Sequence, residues 1–383
     1  MSHKADASFF NRKKLWSERK DEILRCYLPP YLAKITKLNA PVLIVDAFAG
    51  PGRFDDGKDG SPLIICQAVK EALSNNPSAT VSVMCIELIN ELFSKLETNL
   101  SEFPFAEAKQ GEFLDCISVI EKKAKTHSVF LYVDPWRVKE LNWTALDTIF
   151  QHLTDSNMSI EILINFNTAI FTRSGLSALK LGVPELAQDT EDAEPVDAEM
   201  LIPQSLERLN NIIGGNWWQN ILKTESSFPN KVQQIADGVC EQLSQRFKEV
   251  CQHGLKAKPH HTVPKYHLIF ASRHPDALLL MNDQMVKSQR TLAETVKPKE
   301  PTLFEIRSTE LIPDFDELTS LLIKQAEKRK TREGIILAII RQQFGIFACS
   351  EIRRHIQRLL KDGKLTSSTG KTRINDTVEI WKT

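Results

Sequence analysis

The stretch VLIVDAFAGPGRFDDGKDGSP, residues 42–62, decides the fold of this chain. An apolar run leads into Asp46, and glycines and prolines then crowd a turn. Such a run predicts a buried strand, and the apolar spacing over 64–73 predicts a helix after the loop. Gly50 and Gly52 lack a Cβ, so the loop can turn sharply and a ligand can approach its backbone. We therefore expect a ligand at the carboxyl end of the first strand.

Strand-like and helix-like segments alternate along the first half of the chain. Near-continuous apolar strands separated by amphipathic helices predict an α/β fold with a Rossmann-like parallel sheet covered on both faces. The predicted strands are 42–48, 81–87, 105–111, 128–135, 159–166 and 266–272, with helices at 64–73, 90–100, 113–125 and 143–153.

The remaining segments predict the domain organisation. A helix over 16–31 precedes the sheet and is interrupted near its end by two prolines. The acidic segment 184–200 predicts either a partly helical cap over the ligand edge or a solvent-exposed loop with no role. A last strand is expected over 302–306. The predicted domains are a helical lead-in (1–40), the core (41–166 and 231–310), an insertion (167–230) and a basic C-terminal domain (316–383).

The C-terminal segment differs from the rest of the chain in charge. The whole chain has 49 basic and 49 acidic side chains, but residues 319–383 have 14 Lys and Arg against 6 Asp and Glu. Helix-like segments at 316–330, 332–343 and 349–362 precede a basic hairpin, which predicts a winged-helix domain. This domain could bind nucleic acid or dock a protein. The candidate nucleic-acid contacts are Arg353, Arg354, Arg358, Lys361, Lys364, Lys371 and Arg373.

The seven cysteines are far apart and form no CxxC pair. We expect them to be reduced, buried thiols, and we expect no metal site. The N-terminus carries charges where a signal peptide is apolar, and no apolar run approaches the roughly 18 residues of a membrane span. A cytoplasmic protein is expected.

Two further acids follow predicted strands. Glu87 ends the second strand, where a carboxylate can accept both ribose hydroxyls of an adenosine. Asp134 ends the fourth strand beside Pro135, which stiffens the turn, and we expect the substrate there. A glycine-rich turn or an Asp-Pro turn on its own often only reverses the chain and binds no ligand. Together with Asp46, these acids predict one shared pocket, and the absence of GxGxxG disfavours a dehydrogenase.

The motifs DAFAGPG, GSP, CIE and VDPW together resemble the class I S-adenosylmethionine-dependent methyltransferases. More closely, WSERKDEILRCYLPPYL, FLYVDPW, LINF, YHLIFASRHPDALLLMND and the C-terminal domain look like the three-Cys-motif partner protein family. The resemblance covers nearly the whole chain. It implies S-adenosylmethionine as cofactor and a companion protein that carries a cysteine cluster.

The resemblance also implies roles for individual residues. Asp115 would contact the adenine amine, although it could equally be an acid favoured at a helix N-terminus. Asp134 and Pro135 match the start of the motif with which amino-methyltransferases hold a target NH₂. Trp136 replaces the usual second proline and would either stack on a flipped base or pack under the cap. The other implied cofactor contacts are Asp46, Phe48, Gly50 and Gly52 at the methionine end and Glu87 at the ribose.

Two functions follow. The first is a methyltransferase acting on nucleic acid together with a partner protein. The second is a non-catalytic adaptor with the same fold, which binds nucleic acid or the partner through the winged helix. The sequence leaves open DNA or RNA, the modified atom and the oligomeric state.

Overall fold

The computed structural model describes residues 10, 13–135, 137–155, 157–184, 205–256, 261–295 and 313–383. The chain divides into two compact units, Met1–His274 and Pro275–Thr383.

The first unit is built on a seven-stranded sheet. Its strands are β1 Val42–Asp46, β2 Val81–Glu87, β3 Ala106–Gln110, β4 Ser128–Val133, β5 Ile160–Phe166, β6 Glu249–Leu255 and β7 Tyr266–Ser272. Their order is β3-β2-β1-β4-β5-β7-β6. The first five are parallel, and β7 is antiparallel to both of its neighbours. The strand order reverses between β1 and β4, which is where open α/β sheets bind their ligands.

Helices cover both faces of this sheet. They are α1 Leu15–Ile35, α2 Ser61–Asn75, α3 Asn90–Leu100, α4 Ile117–Ala124, α5 Trp143–Thr154, α6 Thr168–Ala178, α7 Ser205–Ile213, α8 Trp218–Leu222 and α9 Phe228–Ser244. On one face, Tyr27 and Tyr31 of α1 pack against Phe130 of β4 with ring centroids 5.6 and 5.5 Å apart. On the other, Leu131 of β4 shares a core cluster with Phe150 of α5. The predicted Rossmann-like α/β core is confirmed, and burial on both faces explains why its strands are nearly all apolar.

The prediction that two prolines interrupt the first helix was wrong. Helix α1 continues through Pro29 and Pro30 to Ile35. A proline leaves one carbonyl a turn earlier without its helical hydrogen bond. Leu28 and Leu32, both with no solvent exposure, flank the prolines, and their burial compensates for the lost bonds.

The strands at the far edge were predicted only in part. The predicted parallel sheet holds for β1 to β5, whereas β7 runs antiparallel to both neighbours. Strand β6 was not predicted, because its sequence EVCQHGL is polar and carries no apolar run. The predicted helix at 113–125 is a 3-10 turn over Phe113–Cys116 followed by α4. The expected strand 302–306 and most of the acidic segment 184–200 lie outside the described residues.

The second unit combines four helices with a small sheet. The elements are α10 Pro275–Thr295, α11 Phe315–Gln325, β8 Lys330–Thr331, α12 Arg332–Gln342, α13 Cys349–Lys361, β9 Leu365–Ser367 and β10 Glu379–Lys382. The sheet is antiparallel, in the order β8-β10-β9. The first predicted tail helix, 316–330, is too long, since α11 ends at Gln325 and Lys330 belongs to β8. The unit begins with α10. The buried Asn282 side chain of this helix donates a hydrogen bond to the Phe347 carbonyl and accepts one from the Gly345 N–H, each at 2.9 Å.

Candidate active site

A cavity of about 600 Å³ opens at the carboxyl ends of β1, β2 and β4. It brings together six of the residues predicted from sequence, from three separate strand ends. Its far wall is formed in part by Arg208 and Ile212 of α7, which belongs to the predicted insertion. The predicted site residues that line the cavity are Phe48, Gly50, Gly52, Glu87, Asp134 and Pro135.

The glycine loop adopts a backbone that favours glycine. Gly50 and Gly52 have φ angles of 63° and 79°, in the left-handed region that other residues rarely adopt. A Cβ on Gly50 would come within 2.9 Å of the Phe10 ring. The Gly60 N–H donates to the Gly52 carbonyl at 2.8 Å and closes the loop at the start of α2. The loop therefore presents bare backbone to the cavity.

Glu87 joins the end of β2 to this loop. Its Oε2 accepts a hydrogen bond from the Gly50 N–H at 2.9 Å, and its Oε1 accepts one from the Ile89 N–H at 2.7 Å. Such charge-assisted bonds fix the orientation of the carboxylate.

The wall beside Glu87 is apolar. The rings of Phe48 and Phe113 lie 6.1 Å apart, and both residues line the cavity. Leu88 also lines it and is 53% exposed, an unusual position for a leucine. This wall suits a flat, apolar group. Sequence reasoning missed Leu88 and Phe113, because a single apolar residue after a strand is an ordinary core signal.

Asp46 lies beneath the cavity and is fully buried. Burial raises the pKa of Asp46 from 3.8 to about 7, and the charge of Asp134 adds to this, while a hydrogen bond from Ser61 opposes it. The Phe48 N–H lies 3.4 Å from Oδ1, and Oδ2 has no partner within hydrogen-bond distance among the described residues. Asp46 thus supports the floor of the cavity.

The raised pKa of Asp46 makes stability depend on pH. Between about pH 4 and pH 7 the folded protein holds a proton on Asp46 that the unfolded chain has lost, so this group's contribution to stability falls as pH rises through that window. Asparagine cannot ionise. We expect Asp46→Asn to gain stability relative to wild type between about pH 5 and about pH 8, measured by urea unfolding. The exposed Glu71 of α2, changed to Gln, is the control, and an equal pH dependence in Asp46→Asn and wild type would contradict the assignment.

Asp134 is held by three donors. Lys20 Nζ lies 2.9 Å from Oδ1 and 2.7 Å from Oδ2. The Asn165 amide donates to Oδ1 at 2.6 Å and the Tyr132 hydroxyl to Oδ2 at 3.0 Å. Asn165 is buried, and its Oδ1 has no partner among the described residues. Sequence reasoning missed Lys20, because it lies on α1, more than a hundred residues before Asp134.

Two other predicted site residues are placed differently. Asp115 is absent from the cavity wall and is exposed, and its carboxylate accepts a hydrogen bond from the Glu112 N–H at 3.1 Å. This is the capping role that the sequence left as the alternative. Trp136 lies outside the described residues.

The predicted nucleic-acid contacts of the second unit divide into two groups. Arg353 is paired with Asp376, at 3.1 Å between Nη2 and Oδ2, and Arg332 binds the same carboxylate at 2.7 Å. Arg353 therefore holds α13 to the chain that precedes β10. The exposed group is Arg354, Arg358, Lys361, Lys364, Lys371 and Arg373.

Six of the seven cysteines are buried and Cys240 is partly buried, as predicted. Among the described residues, no three His, Cys, Asp or Glu side chains are grouped so that they could hold a metal. No helix in the described part of the chain is long and apolar enough to cross a membrane.

No protein-family model matches this chain, and no curated protein matches it. Solved structures do resemble it. Human methyltransferase-like protein 13, in complex with SAH, is 11% identical over 77% of this chain and 99% of that one, with a TM-score of 0.33. Protein LPL1258 from Legionella pneumophila is 8% identical over 72% and 90%, with a TM-score of 0.38. A putative caffeoyl-CoA O-methyltransferase from Staphylococcus aureus is 10% identical over 64% and 82%, with a TM-score of 0.29.

The sheet itself, mostly parallel and flanked by helices, fits a Rossmann-like α/β fold.

Proposed function

We propose that this protein is an S-adenosylmethionine-dependent methyltransferase that modifies an amino group of a nucleic acid. One observation carries the proposal. The glycine loop after β1, Glu87 after β2 and Asp134 after β4 line one cavity at the point where the strand order reverses.

The residues present fit this cofactor. Glu87 is oriented by two backbone N–H groups and is placed to accept ribose hydroxyls. Phe48, Phe113 and Leu88 form an apolar wall for the adenine. The bare backbone at Gly50 and Gly52 admits the methionine end. When bound, the cofactor supplies a sulfonium methyl group that is already activated, so the protein mainly has to align an acceptor nitrogen.

The second unit supports a nucleic-acid substrate. Its order of helix, strand, two helices and two strands from α11 to β10, with the sheet order β8-β10-β9, supports the winged-helix interpretation. On α13, Arg354, Arg358 and Lys361 are spaced at i, i+4 and i+7, so they share one exposed face. Such a face can neutralise phosphates along a groove.

This assignment predicts which basic residues bind. The triple variant Arg354→Gln, Arg358→Gln, Lys361→Gln should bind DNA or RNA more weakly. The slope of log binding constant against log salt concentration should become less steep by about 2 to 3. Arg353→Gln should leave the slope unchanged and cost about 1 kcal/mol of stability, because its partner Asp376 is only partly buried. Fluorescence anisotropy over a salt series measures both, and equal slopes in the triple variant and wild type would refute the assignment.

Transfer itself is tested with the methyl-tritiated cofactor and pools of total RNA and denatured DNA. Label should enter one pool with wild-type protein. No incorporation into either pool, from protein that binds the cofactor, would remove the nucleic-acid substrate from the proposal.

A specific observation favours the adaptor as second candidate. Among the described residues, Lys20, Asn165 and Tyr132 give the Asp134 carboxylate four hydrogen bonds, which is about the number that its lone pairs accept. An adaptor would bind nucleic acid through the second unit and show no transfer under any condition.

From the sequence resemblance we also propose a partner that carries a cysteine cluster, which iron and zinc analysis of the co-purified complex would detect.

A further inference from the structure

The acceptor end of the cavity is built from paired charges. Lys20 contacts both oxygens of Asp134, and the side chains of the pair are 10% and 18% exposed. Lys20 Nζ also lies 5.0 Å from the centre of the Tyr266 ring, which lines the same cavity. Lys13, just before α1, pairs with the buried Asp21. Asp21 and Asp134 therefore each have an ammonium partner at this end.

The third acid at this end adds little charge. Asp46 is fully buried, and burial raises its pKa to about 7, so much of it is protonated near neutral pH. After Asp134 the cavity is lined by Arg137, Lys139 and Glu140, and the Glu140 carboxylate accepts a hydrogen bond from the Arg137 N–H at 3.3 Å. An ammonium ion arriving as acceptor would therefore meet compensated carboxylates and basic groups, and it would lose hydration without gaining an ion pair.

We propose that Lys20 is a positioning residue that neutralises and orients Asp134, so that this end of the cavity takes an uncharged amino group, as on a nucleobase, and rejects a protonated amine, as on a lysine side chain. The inference rests on the proposed function and narrows its acceptor class. Two features add to it. The Tyr132 and Asn165 donors fix the carboxylate from β4 and β5, and Lys20 is the one donor of the three that lies on a separate N-terminal helix.

An uncharged acceptor suits the chemistry. Its nitrogen keeps the lone pair that forms the new N–CH₃ bond, while the C–S bond of the cofactor breaks and its electrons remain on sulfur. The methylated nitrogen then loses one proton to water. A protonated amine has no lone pair until it is deprotonated, and Asp134 is saturated by its three donors, so it is poorly placed to accept that proton.

The test uses two probes that differ in charge at the reacting position. S-adenosylhomocysteine ends in a neutral thioether there, whereas sinefungin carries a protonated amine. Calorimetry of the full chain should show that the wild-type protein binds sinefungin no more tightly than S-adenosylhomocysteine. In Lys20→Met, the affinity for sinefungin should rise about tenfold relative to the affinity for S-adenosylhomocysteine, because the sinefungin ammonium then meets an uncompensated Asp134 carboxylate.

Matched variants separate charge from packing. Lys20→Arg should keep the wild-type ratio, and the double variant Lys20→Met, Asp134→Asn should return to it. A merely structural role for Lys20 would change both affinities together and leave the ratio unmoved.

Three results would overturn the inference. One is an unchanged ratio in Lys20→Met, and another is a wild-type preference of tenfold or more for sinefungin. The third is no binding of S-adenosylhomocysteine by folded wild-type protein, which would also remove the proposed function. The first two leave that function standing, so the two failures are distinguishable.

Discussion

Replacing Glu87 with alanine should weaken S-adenosylmethionine binding at least about a hundredfold. The change removes the acceptor for the ribose hydroxyls and also leaves the Gly50 and Ile89 N–H groups without the carboxylate that orders the glycine loop. A lost charge-assisted hydrogen bond costs about 1.5–3 kcal/mol, and a hundredfold loss corresponds to about 2.7 kcal/mol. Isothermal calorimetry measures the affinity directly.

The control is Glu91→Gln, an exposed acid in the first turn of α3, which should bind as wild type does. Glu87→Ala is also expected to unfold at lower urea concentration, so its binding has to be measured where circular dichroism shows it folded. Wild-type affinity in folded Glu87→Ala would show that the carboxylate does not contact the cofactor.

Replacing Asp134 with asparagine should abolish methyl transfer, by a factor of about 10² or more, while leaving cofactor affinity within about threefold. The shape of the side chain is kept, but the negative charge beside the acceptor position and the ion pair with Lys20 are both lost. Breaking this mostly buried pair leaves an uncompensated ammonium, so a loss of about 3 kcal/mol in unfolding free energy is also expected. Single-turnover transfer and urea unfolding give the two numbers.

The double variant Asp134→Asn, Lys20→Met distinguishes chemistry from folding. It removes the unpaired charge and should recover most of the stability, but not the transfer activity. Transfer at the wild-type rate by the single variant would take the catalytic role away from Asp134.

The sequence predicted the parts of the site that follow directly from strand ends. Glu87 and Asp134 each come at or just after the end of an apolar strand, and parallel strands bring their carboxyl ends to one edge, so their convergence follows from local pattern and topology. The glycine loop was predicted for the same reason. Asp46 also ends its strand, but it lies in the buried floor, since period-two alternation does not say how deep a strand end lies.

The contacts that tune the site were not predictable in this way. Lys20 reaches Asp134 from a helix that packs on the sheet only in the folded protein, and nothing in its local sequence marks it. Asp115 is the opposite case. An acid at the start of a helix can either cap the backbone or contact a ligand, and the structure shows that Asp115 caps the backbone. Arg353 and Arg354 are neighbours in sequence, yet one holds Asp376 and the other is exposed.

The most direct measurement is calorimetric titration of the full chain with S-adenosylmethionine, on wild type and on Gly50→Leu. The positive φ of Gly50 strains any side chain there, and the Phe10 ring, 2.9 Å from the Cβ position, would have to move. We expect one site per chain with a Kd in the micromolar range for wild type, and no detectable binding for Gly50→Leu. A folded wild-type protein that releases no heat and gains no thermal stability with the cofactor would contradict the account, and the cavity at the ends of β1, β2 and β4 would need another ligand.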